Sequence, residues 1–99
     1  MTLAKVVGTV VSSHKSQKLD GLKFLLLESI DVSTMKGKNS FVVAMDSVGA
    51  GVGEIVFYVT GSSARLTDVT QGRATDATII AIVDIIEKDG SYVYKKNEE

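Results

Sequence analysis

The chain has 99 residues, of which 44% are hydrophobic and 23% charged, and its formal net charge is −1. This much hydrophobicity at near-balanced charge excludes a disordered chain and gives none of the basic footprint that marks nucleic-acid binders. With no cysteine and one histidine, disulfide scaffolds, thiolate zinc sites and cysteine nucleophiles are excluded.

The segment 3–12 (LAKVVGTVVS) is rich in valine and reads as a strand bent at Gly8. No basic leader or cleavage site precedes it, and no apolar run approaches the ~20 residues of a membrane span, so a cytosolic protein is expected. The polar stretch 13–19 is a loop that runs into an Asp20-Gly21 turn. Residues 22–30 (LKFLLLESI) suit helix or strand by periodicity; their shortness and the glycine before them favour a strand. Residues 31–39 read as a polar loop with Lys36-Gly37-Lys38-Asn39 at its tip, and 40–45 (SFVVAM) as a β-branched strand. A glycine-rich loop, 46–54, leads into the strand 55–60 (IVFYVT). Ser62 or Ser63 then caps a short helix from Ala64 to about Asp68, because a serine oxygen satisfies an exposed N–H there. After a loop at 69–75, residues 78–86 (TIIAIVDII) form the longest apolar segment and read as one strand. Lys88-Asp89-Gly90-Ser91 is a hairpin turn returning through Tyr92-Val93-Tyr94, and 95–99 a frayed tail. The expected fold is all-β: a small five-stranded OB-like barrel with one short helix and a C-terminal hairpin, in a single domain over residues 1–99.

The most informative stretch is Asp46-Ser47-Val48-Gly49-Ala50-Gly51-Val52-Gly53-Glu54, followed after one strand by Gly61-Ser62-Ser63-Ala64-Arg65. Glycines at alternate positions suit a backbone that bends sharply or meets another backbone closely. The run is no dinucleotide fingerprint, since Glu54 stands where the last glycine belongs and a strand follows where a helix is required. It reads either as a tight connection between strands or as a loop meeting a symmetry mate. Asp46 and Glu54 are better matched to backbone N–H groups of this loop than to acid–base work. The serines and Arg65 suit a helix cap with a surface arginine, or an arginine bonding a neighbouring chain.

Catalytic chemistry finds little support. His14 is the only histidine and lies in a polar loop, so no catalytic or metal-binding residue is assigned, and no cofactor. Asp84 and Glu87 read as solvent-facing charges. An OB-type barrel also raises single-stranded nucleic-acid binding as an alternative, with Tyr92 and Tyr94 on one face of a strand as the stacking pair. A small barrel with an apolar late strand and thin loops also suits a ring built from head-to-tail contacts.

The string DSVGAGVGEIVFYVTGSSAR (46–65) is similar to the signature stretch of the EutN/CcmL family, the pentameric vertex proteins of bacterial microcompartment shells. The likeness extends to LAKVVGTVVSSHK (3–15), LDGLKFLLLESID (19–31) and DATIIAIVDIIE (76–87). Thr75 and Ala81 stand where family members often carry proline and glycine. The resemblance implies a non-enzymatic shell component in the bacterial cytoplasm. It implies an OB-like barrel assembled as a homopentamer beside hexameric shell proteins, without nucleic acid, membrane or cofactor. It further implies that Gly49, Ala50, Gly51 and Gly53 allow close backbone approach at the five-fold axis or the subunit seam. By the same likeness Asp46 and Glu54 brace that loop, and Ser62, Ser63 and Arg65 contact the adjacent protomer.

Overall fold

The computed structural model describes residues 2–11, 23–61 and 77–96. In β1 (Thr2–Val10) strand alternation sends Ala4 and Val6 inward and Lys5 outward. The same parity sends Leu25 and Leu27 of β2 (Phe24–Asp31) inward, with Ala44 of β3 (Lys36–Asp46). Val56 and Tyr58 of β4 (Ile55–Thr60), and Ala77 and Ile79 of β5 (Ala77–Ile82), complete the core.

These five strands close into a barrel in the order β1-β2-β3-β5-β4, with β3 and β5 parallel and the other neighbours antiparallel. Closure requires β1 to serve two neighbours. Its first residues pair with β4, and from Ala4 onward it pairs with β2. The register shift between Val6 and Gly8 bends it from one to the other, where the sequence places a bend. The closing ladder between β3 and β5 is short, Met45 beside Thr78 and Asp46 beside Ile79.

Three local expectations are corrected. The loop expected at 31–39 is a tight turn at 32–35, and β3 already begins at Lys36. Asp31 makes that turn: its carboxylate accepts the Ser33 N–H at 2.8 Å, and its carbonyl accepts the Met35 N–H at 2.6 Å. Gly37 is therefore a strand residue. A Cβ there would meet the Glu28 carboxylate, the flexible end of a side chain that accepts the Asn39 N–H at 3.0 Å, so a side chain at 37 would displace that carboxylate. The single strand expected at 78–86 is two, β5 and β6 (Ile85–Lys88). The break falls at Val83, whose N–H bonds the Ile55 carbonyl at 2.8 Å while its side chain is buried. An apolar run cannot reveal such a break, since both sides of it are apolar. The tail expected at 95–99 does not include its first two residues, because Lys95 belongs to β7 (Ser91–Lys95) and Lys96 is bonded to the body of the chain; 97–99 lie outside the described residues. The helix expected from Ala64 to about Asp68 lies outside the described residues.

β6 and β7 form a separate hairpin, joined by a two-residue turn with Asp89 at φ 53° and Gly90 at φ 80°. Both positive values match a type I′ turn, which Asp-Gly favours. Ile86 and Tyr94 hold the hairpin to a second apolar cluster built on Ile30, Ile55 and Val83, with Leu3 and Phe57. Lys88 Nζ reaches Ser33 Oγ at 3.4 Å near the hairpin's turn.

Candidate functional site

The glycine loop, 47–54, is folded by its own two carboxylates. Asp46 Oδ1 accepts three successive backbone N–H groups, from Val48 and Gly49 at 3.0 Å and from Ala50 at 3.2 Å. Glu54 Oε1 accepts the Gly51 N–H at 2.6 Å, and the Glu54 N–H returns to the Gly51 carbonyl at 3.1 Å. Converging N–H groups of this kind make a concave anion nest. Here the chain's own Asp46 fills it, so the nest is a structural device and not an open phosphate site. The Asp46 side chain is only 2% exposed, and Lys23 Nζ stands 3.7 Å from its Oδ2 and 3.3 Å from the Ala50 carbonyl.

The loop is also tied to the barrel. The Val6 N–H donates to the Glu54 carbonyl at 2.9 Å, the Gly53 N–H donates to the Val6 carbonyl at 2.8 Å, and the Ser47 hydroxyl donates to the Ile79 carbonyl. Ala50 turns inward, is 1% exposed, and joins the core cluster. Its side chain therefore stops one end of its own barrel. Outward the loop presents Val48, Gly49, Val52 and Gly53.

The three glycines differ in cause. Gly49 and Gly53 have φ of 79° and 96°, a region costly for a side chain, so the turns alone require them. Gly51 has no such φ, and a Cβ there would meet only Glu54 Oε1, at an ordinary 3.6 Å. Nothing among the described residues requires glycine at position 51.

At the far side of the loop, Lys96 Nζ lies 2.8 Å from Glu54 Oε2. The hydrogen bond from Lys96, seconded by the Gly51 N–H, holds the Glu54 carboxyl below its ordinary range; the same bond raises the Lys96 ammonium. Lys96 N–H also donates to the Asp84 carbonyl at 2.8 Å. The C-terminal hairpin is thus latched to the glycine loop, and Gly53 faces Tyr92, Tyr94 and Lys96 across an open groove of about 860 Å³.

Of the nine residues singled out in the sequence, Asp46, Gly49, Ala50, Gly51, Gly53 and Glu54 come together in this one loop, while Ser62, Ser63 and Arg65 lie outside the described residues, as does His14. Asp84 and Glu87 are exposed. Tyr92 and Tyr94 do not form the expected stacking pair. A register shift between Ile86 and Glu87 inserts Val93 as an extra residue in β7 and breaks the alternation. Tyr94 packs on the Val83 cluster, while Tyr92 stays 58% exposed with Lys95 Nζ 4.8 Å from its ring centre. Lys23, Ser47 and Lys96 escaped sequence reading, because each acts across a long stretch of chain and carries no local signal. Among the described residues no group of three or more His, Cys, Asp or Glu side chains is placed to hold a metal.

Residues 1–84 match the family model described as ethanolamine utilisation protein EutN/carboxysome. The chain is similar to the carboxysome shell vertex protein CcmL of Synechococcus elongatus, 43% identical over 98 residues covering 99% of this chain and 98% of that one. Its fold matches the structure of Gloeobacter violaceus CcmL with a TM-score of 0.91 at 40% identity, covering 99% and 100% of the two chains. It also matches the GrpN pentameric microcompartment shell protein of Rhodospirillum rubrum, with a TM-score of 0.79 at 41% identity over 89% of this chain and 99% of that one.

Proposed function

This chain belongs to the EutN/CcmL family, and from that membership we propose that it forms a ring of five copies closing the five-fold corners of a bacterial microcompartment shell in the cytoplasm. The observation that carries the reading is the likeness to the pentameric GrpN shell protein, which extends over 89% of this chain. The role is geometric. Hexagonal tiles make flat sheets, and closure into a polyhedron requires five-fold units at the corners. In this reading residues 1–99 act as one shell domain, without catalysis, and the partners along its rim are hexameric shell proteins.

The glycine loop supplies part of the seam between copies. Asp46 and Glu54 fix its shape, Gly49 and Gly53 allow its turns, and Gly51 leaves room for a neighbouring backbone. Ser62, Ser63 and Arg65 act from the following segment on the adjacent protomer. A buried loop–arginine contact of this kind is worth about 2–5 kcal/mol when its charged partner is desolvated. Co-expression with a hexameric shell protein tests the role. Closed polyhedra that become open sheets or tubes when this chain is omitted are the expected result. Equal closure with and without it would overturn the corner role.

A further inference from the structure

Met35 occupies a backbone position that its side chain does not favour. It ends the turn between β2 and β3 at φ 60°, in the left-handed region where glycine or asparagine is the ordinary choice. The other non-glycine residues with positive φ among the described residues are Asn39 and Asp89, whose short polar side chains suit that conformation. The Asp31 carbonyl holds the Met35 N–H at 2.6 Å, so the turn itself imposes the strain. A residue persists in such a conformation where its surroundings over-determine it.

For Met35 those surroundings are apolar. Its side chain packs on the cluster of Ile30, Ile55 and Val83, which Ile86 and Tyr94 of the hairpin also join. The Lys88 ammonium, 3.4 Å from Ser33 Oγ, brings the hairpin to the same turn. Among the described residues β6 and β7 pair with each other and with no strand of the barrel. Side chains therefore hold the hairpin in place, and Met35 lies in the cluster that does much of the holding. It is also the one member of that cluster whose polarity an oxidant can reverse. Met35 is half-buried, whereas Met45 is fully buried, so a small oxidant reaches the first sulfur ahead of the second.

We propose that Met35 is a site of reversible oxidation that loosens the C-terminal hairpin. The thioether sulfur attacks one oxygen of hydrogen peroxide. An S–O bond forms, the O–O bond breaks, the sulfur gives up two electrons, and the other oxygen leaves as water. The sulfoxide is polar and strongly hydrogen-bonding, and the apolar cluster offers it no donor. The side chain turns out to water, and Ile86 and Tyr94 lose a neighbour. A thiol-dependent methionine sulfoxide reductase reverses the step, since two electrons and two protons return the thioether and release the oxygen as water.

The test treats the full chain with dilute hydrogen peroxide and follows it by peptide mass mapping and amide hydrogen exchange. Met35 should gain one oxygen well before Met45. Exchange across residues 85–96 should then quicken about tenfold, with the amides of β1 and β2 unchanged. Reductase and thiol should restore the slow exchange. Met35→Leu, which has no oxidisable sulfur, should exchange at one rate with and without peroxide. Equal oxidation of Met35 and Met45 overturns the site. Met35 oxidised with hairpin exchange unchanged overturns the loosening, as does a Met35→Leu hairpin that quickens in peroxide. The wild-type arms decide the matter alone if the variant does not fold.

Discussion

Asp46 does the most for the loop per atom. A nearly buried carboxylate is stable only when its charge is met, and three backbone N–H groups and Lys23 meet it. Asp46→Ala leaves those donors without a partner, so we expect a loss of about 1–3 kcal/mol of folding stability in urea titrations. Gly51 is the opposite case. Its Cβ position is free within the chain, so Gly51→Val should keep the wild-type circular dichroism spectrum and lose the assembly on size-exclusion chromatography. A Gly51→Val protein that elutes with the wild type would remove position 51 from any seam. Much of this was legible in the sequence, because Asp and Glu flanking a glycine run have backbone N–H groups within local reach. Lys23 was not, because its partner Ala50 lies 27 residues away and only the closed barrel brings them together.

Among the elements, the strands are the most legible part. Val-rich and β-branched runs announced β1, the second half of β3 and β4, shortness and a preceding glycine decided β2 where periodicity did not, and Asp-Gly announced the hairpin turn. What failed were departures from strict alternation, at the turn shaped by Asp31, at the Val83 break and at the Val93 bulge. All three are decided by contacts from elsewhere in the chain. The bulge gives the two tyrosines different work: Tyr94→Ala should cost about 2 kcal/mol in denaturant unfolding from lost packing, and Tyr92→Ala should leave the stability of the isolated chain unchanged. The Glu54–Lys96 latch gives the hairpin a pH dependence. Glu54 is held low, so its contribution is present above the ordinary carboxyl pKa and is lost as pH falls through the lowered value. Lys96 is held high, so its contribution is present below the ordinary lysine pKa and is lost as pH rises through the raised value. The stability gap between wild type and Lys96→Ala should therefore be wider at about pH 7 than at about pH 3 in parallel urea titrations. A gap of equal size at both would mean that Lys96 acts through packing alone.

At the scale of the whole molecule, the five strands close into a barrel, and among the described residues the long β3 pairs with β5 only at Met45 and Asp46. The expected family was legible because the glycine run and the Gly-Ser-Ser-Ala-Arg turn occur together at fixed spacing, and residues 1–84 match that family. Ring size was not legible from physics, since it depends on the angle between two faces and no single chain fixes that angle by its composition. The vertex role stands on that angle: a ring of five turns a flat lattice into a corner, and a ring of six continues the sheet. The most direct measurement is native mass spectrometry of the purified wild-type protein at several concentrations. A closed species of five chains, about 52 kDa from a 10.5 kDa protomer, is the predicted result. A stable single chain or a six-chain ring would contradict the corner role.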